Sequence, residues 1–209
     1  MNGYDFTFCG AHLTALGSGA LWWADAALLC VSDLHLGKSE RILRRGGTAL
    51  PPYETLDTLN RLAADLARLP VRHVICLGDS FDDSAAAHAL PDDMRGRIAA
   101  LQAGRDWTWI EGNHDPAPVA MGGTHLAELR VGPLTFRHIA QAGATGEVSG
   151  HYHPKAAVRV RGRRIKGRCF ATDGRRLILP AFGAYAGGLN AREPAIAGLL
   201  ASRFRVYLI

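Results

Sequence analysis

Hydrophobic and polar positions in this chain fall into two recurring patterns. The first is a short unbroken apolar run that stops at a cluster of polar residues. Ala26–Val31 has this form, as does Val71–Leu77 apart from Arg72 and His73, and both predict buried strands; Asp106–Glu111, with Trp107, Trp109 and Ile110 among polar residues, predicts a third strand. The second is an apolar stripe at three- and four-residue spacing. It spans Tyr53–Leu69 through Leu56, Leu59, Leu62, Ala63, Leu66 and Leu69, predicts an amphipathic helix that covers a sheet face, and is stopped by Pro70. A second helix is predicted around Asp92–Ala103, after a loop that begins near residue 84. At the start, Tyr4–Phe8 and Ala20–Trp23 flank Gly17-Ser18-Gly19 and predict two edge strands joined by a turn.

Beyond residue 120 the pattern changes. Leu126–Val131, Leu134–Ile139 and Glu147–Ser149 are short strand-like runs with glycine-rich links and no long amphipathic helix between them. They predict a second, largely antiparallel sheet. Alternation at Val158, Val160 and Ile165 around Gly162 predicts a hairpin. Leu177–Gly183 and Phe204–Ile209 predict two further strands.

Composition narrows the class. The chain has 209 residues, of which 48% are hydrophobic, enough for a sizeable core in a single domain over residues 1–209. The start lacks a basic segment followed by a long apolar run, so no signal peptide is expected, and no run of about 20 apolar residues predicts a membrane helix. Cys9, Cys30, Cys76 and Cys169 are far apart and show no Cys-x-x-Cys spacing, which points to a reduced, cytoplasmic protein with buried thiols at Cys30 and Cys76.

The formal net charge is +5 and unevenly spread. Residues 155–176 hold nine basic side chains and one acidic, Asp173, so this segment carries +8 and the remainder is net −3. Arg163, Arg164 and Lys166 are candidates for contacting a phosphate polymer; a solubilising edge is the alternative. Lys38, Arg41, Arg44 and Arg45 form a smaller basic group that either meets phosphates or lies in a solvated loop or short helix.

The candidate chemistry sits where the apolar runs end. Asp33 and His35 are two residues apart, a spacing that in extended chain puts both on one side. Gly78-Asp79-x-x-Asp82 and Gly112-Asn113-His114-Asp115-Pro116 end the next two runs. His138 ends another, and Gly150-His151-x-His153 repeats the two-residue spacing. All five loops offer oxygen or nitrogen donors and no sulfur, which suits a divalent ion such as manganese, iron or zinc. His12 and His88 read as surface histidines, and His73 and His125 as structural ones.

In this order the five loops resemble the calcineurin-like metallophosphoesterase superfamily. The resemblance implies a four-layer α/β/β/α sandwich of two mixed sheets flanked by helices. It also implies two divalent ions, manganese foremost and iron, zinc or magnesium as alternatives. Asp33, His35 and His153 would bind the first ion, Asp79 would bridge both, and Asn113, His138 and His151 would complete the second. His114 would serve the leaving group, with Asp79 and His114 the catalytic pair, and Asp82 and Asp115 would orient ligands. Two such ions roughly 3.5–4 Å apart bracket an in-line displacement at phosphorus and make hydroxide available near neutral pH.

At finer grain, Ser32–Glu40, Gly46-Gly47 with Pro51-Pro52, Gly78–Asp83 and Gly150–Lys155 resemble the bacterial ligase-associated DNA-damage-response endonucleases. That implies a DNA substrate and ligase or helicase partners. No separate DNA-binding domain is evident in the sequence. Two alternatives remain at this level: a phosphatase or pyrophosphatase on a small nucleotide or lipid-linked substrate, and a non-catalytic scaffold of the same fold.

Overall fold

The computed structural model describes residues 3–48, 50–51, 53–115 and 120–209. Pro52 and Pro116 of the motifs above lie outside the described residues. Along the chain come strands β1 (Gly3–Phe8), β2 (Ala11–Leu16), β3 (Leu21–Trp23) and β4 (Leu28–Val31), then helices α1 (Lys38–Arg44) and α2 (Glu54–Arg68). Strand β5 (His73–Leu77), helices α3 (Ser84–His88) and α4 (Asp92–Gln102) and strands β6 (Asp106–Ile110) and β7 (Thr124–Leu126) follow. The second half contains β8 (Glu128–Val131), β9 (Leu134–Arg137), β10 (Glu147–Ser149), β11 (Lys155–Val160), β12 (Arg163–Thr172), β13 (Arg176–Ile178), α5 (Pro194–Ala197) and β14 (Arg205–Leu208).

These strands form two mixed sheets. The first has the order β1-β2-β3-β4-β5-β6-β7, antiparallel up to β4 and parallel from β4 to β7. The second has the order β11-β12-β13-β10-β9-β8, with β14 also on β12. In it β10 runs parallel to both β9 and β13, and the other pairs are antiparallel.

The apolar runs are unbroken because the first sheet is covered on both sides. Leu28 and Cys30 of β4, with Ile75 and Leu77 of β5, pack against Phe136, Val148, Phe170 and Leu177 of the second sheet. Their alternates Leu29, Val31, Val74 and Cys76 pack against Leu59, Leu62 and Leu66 of α2. The pleat sends successive residues to opposite faces, so both sets must be apolar. The outer face of the second sheet is covered more thinly, by Ile196 of α5 and Leu200 over Cys169, Ala171 and Ile178. The four cysteines are unbridged, and no helix among the described residues is long and apolar enough to cross a membrane.

Four expectations need correction. The N-terminal segment forms three strands. The missed one, β2, covers Ala11–Leu16, and its neighbour β3 is interior, paired to both β2 and β4. The run Leu126–Val131 breaks at Ala127 into β7 and β8, which belong to different sheets. The stretch after residue 83 opens with α3, because the Asp83 side chain accepts the Ala86 N–H at 2.7 Å and caps it. The run Leu177–Gly183 is strand only to Ile178. Pro180 has no N–H to give, and the chain crosses to the first sheet, where Phe182 N donates to Ser32 O at 2.7 Å and Gly183 N to Asp33 O at 3.0 Å.

Candidate metal centre

The C-terminal ends of β4, β5 and β6 from one sheet and of β9 and β10 from the other open into the same space. Strand ends of this kind are where α/β sheets place their ligands. The loops are fastened to one another. Asp33 N donates to Gly78 O at 3.2 Å, His35 N to Asp79 O at 2.9 Å, Leu36 N to Ser80 O at 2.9 Å and Gly150 N to His138 O at 2.9 Å.

The two-residue spacings converge for a different reason from the one expected. Asp33 and His35 are not extended; they have φ of 53° and 45°, and Asp79, His151 and His153 have φ of 45°, 69° and 46°. Left-handed backbone at non-glycine residues is uncommon and costs about 1–3 kcal/mol each. Here the cross-loop hydrogen bonds hold it in place. The glycines serve close approach. A methyl on Gly78 would collide with the His138 ring, and one on Gly150 would collide with Ser32 Oγ and lie 2.6 Å from Asp33 Oδ2.

Among the described residues the side chains gather in three groups that could hold an ion: two adjoining ones, and a third of His35, Asp82 and His114 that shares His35 with the first. Asp33, His35 and His153 form one, with His153 Nε2 3.1 Å from Asp33 Oδ1 and 3.4 Å from His35 Nε2. Asp79, His138 and His151 form the other. There His138 Nε2 lies 3.2 Å from His151 Nδ1, 3.0 Å from Asn113 Oδ1 and 3.4 Å from Asp79 Oδ2. Asp33 Oδ1 is 3.9 Å from His138 Nδ1, so the groups share a border.

The donor chemistry fits divalent cations. Leu77 O can only accept, and it lies 3.1 Å from His138 Nδ1, so that nitrogen carries the hydrogen and Nε2 presents a lone pair. Four electron-pair donors then meet around Nε2, and only His151 has a hydrogen to offer among them. Charge imbalance points the same way. Burial pushes the Asp33 and Asp79 carboxyls up, yet His153 beside Asp33 and His138 beside Asp79 outweigh it and hold both below the usual carboxylate range. Burial depresses the His138 imidazole, but Asp79 and Asp33 overcome that and raise it. The His151 ring is lowered by burial and by His138. Without a cation, then, His138 is the one group of these four drawn towards its protonated form.

The remaining candidates lie around these groups. Asp82 Oδ1 sits 2.9 Å from His35 Nδ1, off the line of a good hydrogen bond. The same carboxylate takes Arg41 Nε and, at 3.7 Å, Lys38 Nζ. Burial pushes Asp82 up, and His35, Lys38 and Arg41 bring it down to about 2. Lys38 and Arg41, read from the sequence as phosphate contacts, are thus turned onto a buried carboxylate. Arg44 and Arg45 pair with Asp83. Asp115 touches no imidazole in this arrangement. It accepts Ser80 N at 2.8 Å and Phe81 N at 3.1 Å, which fixes the Asp79 loop, and burial with the nearby Asp79 charge pushes it up to about 6.

His114 belongs to the third group, with His35 and Asp82. Its N–H donates to Asp79 Oδ1 at 2.9 Å, and its Nδ1 bonds to Asp82 O at 2.9 Å. Nε2 is left 4.0 Å from Asp79 Oδ2 on a ring that is one-third exposed. Arg163, Arg164 and Lys166 are all exposed on the β11–β12 hairpin, away from this cluster. Sequence reasoning gave no role to Ser32, which is buried and donates from Oγ to Asp33 Oδ2. Its place directly before Asp33 was the available signal.

A family model described as calcineurin-like phosphoesterase matches residues 26–166, which take in every one of these loops. Among solved structures, the crystal structure of Pseudomonas putida nuclease MPE is similar over 99% of this chain and 96% of that chain, with a TM-score of 0.78 and 28% sequence identity. No curated protein matches the chain.

Proposed function

The chain belongs to the calcineurin-like phosphoesterase family, and from that premise we propose that it is a two-metal phosphodiesterase that cuts nucleic acid, with DNA as its substrate. The observation that carries the reading is the cluster around His138 Nε2, where oxygen and nitrogen donors converge with too few hydrogens among them. The nucleic-acid part is supported by similarity to a nuclease over almost the whole chain and by the basic hairpin.

In this reading Asp33, His35 and His153 would hold one divalent ion, Asn113, His138 and His151 would hold the other, and the Asp79 carboxylate would serve both. Such a pair supplies an activated water and neutralises charge on the phosphoryl oxygens. The protein's own groups do the rest. Asp82 sets the His35 ring, with Lys38 and Arg41 compensating its charge. Leu77 O sets the tautomer of His138. Asp115 fixes the loop that carries Asp79, and Ser32 fixes Asp33. His114 keeps its Nδ1 on Asp82 O, so its exposed Nε2 is the atom that delivers a proton to the departing oxygen.

Manganese is the proposed ion, since mixed carboxylate, amide and imidazole donors suit it. The unbridged cysteines support a cytoplasmic setting, and the finer resemblance of the motifs supports ligase or helicase partners. We treat residues 1–209 as one catalytic domain. The test is turnover by the manganese-loaded protein of single-stranded DNA, duplex DNA, and aryl phosphate mono- and diesters in parallel. Cleavage of DNA and of the diester is expected. Turnover of the monoester alone would replace the proposal with a phosphatase acting on small substrates.

A further inference from the structure

Away from the metal pocket, the least explained feature is the face of the β11–β12 hairpin. Residues 155–172 contain seven basic side chains and no acidic one. Strand register sorts them. Lys155 is opposite Arg168, Ala157 opposite Lys166 and Arg159 opposite Arg164. Directly opposed residues share a face, and alternate pairs share the same one. Five cations therefore stack on one side of the hairpin. Val158 opposite Ile165 and Ala156 opposite Gly167 take the other side. Arg163, two residues from Ile165, goes with that second side.

Like charges placed directly across a sheet are destabilising, and this hairpin has two such rungs. A soluble edge needs scattered charge, not stacked charge of one sign. No carboxylate intervenes. A groove of about 600 Å³ runs between Lys155, Arg164 and Lys166 and is not lined by Asp or Glu; a second, of about 850 Å³, reaches Arg159 and Arg164 but is lined mainly from the Ala156 and Val158 side, with Arg192 and Arg203 at its edge. Arg168, on the same face, donates to Ala181 O at 2.8 Å, and Arg175 and Arg176, at the end of the same basic segment, are committed to Thr145 and Asp173.

The face is rigidly joined to the pocket. Lys155 follows His153 by two residues, its N–H donates to Leu189 O at 2.8 Å, and its carbonyl accepts Ala191 N at 2.8 Å. At the far end Arg161 and Gly162, with φ of 48° and 79°, make a two-residue turn that matches the strands' twist. At about 3.3 Å per residue, six-residue β11 reaches roughly 20 Å from the pocket.

We propose that the Lys155–Arg159–Arg164–Lys166 face is a track for backbone phosphates that holds a nucleic-acid strand beyond the bond being cut, so that the preferred substrate is an oligomer and not a mononucleotide. This rests on the nuclease reading above and adds where the strand lies. Arg163 is left out of the track, although its neighbour in sequence is part of it.

The test is binding of a 5′-labelled single-stranded 30-mer to the full chain across a salt series. The variant Arg159→Glu/Arg164→Glu/Lys166→Glu is compared with a charge-matched control, Arg72→Glu/Arg97→Glu/Arg130→Glu, on exposed positions elsewhere. The track variant should lose at least tenfold in affinity near 0.15 M salt. Its log–log salt slope should fall by about 2, as expected for three phosphates lost from a single strand. Equal losses in the control would overturn the proposal, as would Arg163→Glu costing as much as Arg164→Glu. The triple Gln variant, with folding checked by circular dichroism, covers the case in which reversal disturbs the hairpin; an unchanged slope there counts against the track. Wild-type turnover of an aryl diester, too small to reach the hairpin, reads the metal site separately. Its absence alongside intact salt-dependent binding would sink the phosphodiesterase reading and leave the track standing.

Discussion

His138 Nε2 and His151 Nδ1 face each other at 3.2 Å, with the hydrogen of His138 committed to the Leu77 carbonyl on the far side of the ring. With Asn113 Oδ1 at 3.0 Å and Asp79 Oδ2 at 3.4 Å from the same His138 nitrogen, more lone pairs than hydrogens meet there, a shortfall that a cation would make good. Manganese added to chelator-stripped protein should therefore raise its melting temperature. At a hundred times the dissociation constant the gain is about 2.7 kcal/mol. His138→Ala should lower bound manganese from two ions per chain to one, measured by plasma mass spectrometry. Two ions retained in that variant would remove His138 from the site.

Asp79→Asn keeps the shape of the side chain and removes its charge from the group it forms with His138 and His151. Turnover of an aryl diester should fall by at least ~10²-fold, the scale of removing one strong electrostatic contribution to a transition state. Near-normal turnover would refute the bridging position.

His114→Ala should retain both ions and lose activity by about 10²–10⁴-fold, the usual range for a general acid. The loss should shrink for a diester whose leaving group is already a weak base, such as 4-nitrophenolate, because that oxygen needs no proton. Loss of metal in the same variant would make His114 a ligand.

Gly150→Ala tests the close packing of the loops. Its methyl would run into Ser32 Oγ and crowd Asp33 Oδ2. Overpacking of this kind costs about 1–3 kcal/mol, and Asp33 is the group displaced. Lower stability together with weaker manganese affinity is expected from thermal melts and titration calorimetry. A fall in stability with unchanged affinity would separate the glycine from the metal site.

Asp173 offers a test of pH dependence far from the metals. Burial pushes its carboxyl up, but the N–H groups of Arg176, Arg175 and Ala201, with the Arg176 charge, outweigh this and lower it. A carboxyl lowered on folding stabilises the protein above its unfolded value near 3.9, and that contribution fades as pH falls through the folded value. Asp173→Asn should thus lose about 1–3 kcal/mol at pH 7. Below about pH 4 the gap to wild type should narrow. A gap independent of pH would mean the loss is not electrostatic.

Much of this was legible in the chain itself. Local rules reach as far as one element. Unbroken runs such as Leu28–Val31 and Val74–Leu77 show strands buried on both faces, and the stripe from Leu59 to Leu66 shows the helix that covers one of those faces. Four of the five loops were visible because an apolar run ends in glycine or serine followed by oxygen and nitrogen donors; His138, after Arg137, had only its strand end as a signal. The division of Leu126–Val131 between two sheets was not visible, because both halves have strand character and only the partners differ.

Alone, then, the sequence determined the donors, their order and the strand ends that carry them. Tertiary structure decided how they meet. Asp33 and His35 converge through left-handed backbone and not through the pleat, because bonds to the Gly78 and Asp79 carbonyls from another strand overrule local preference. It also decided that Lys38 and Arg41 answer Asp82, while Arg159 and Arg164 are stacked with no acidic partner among the described residues. A charge carries no record of its partner in the sequence. The partner comes from a distant stretch of chain, and only folding brings the two within the few ångströms over which they act.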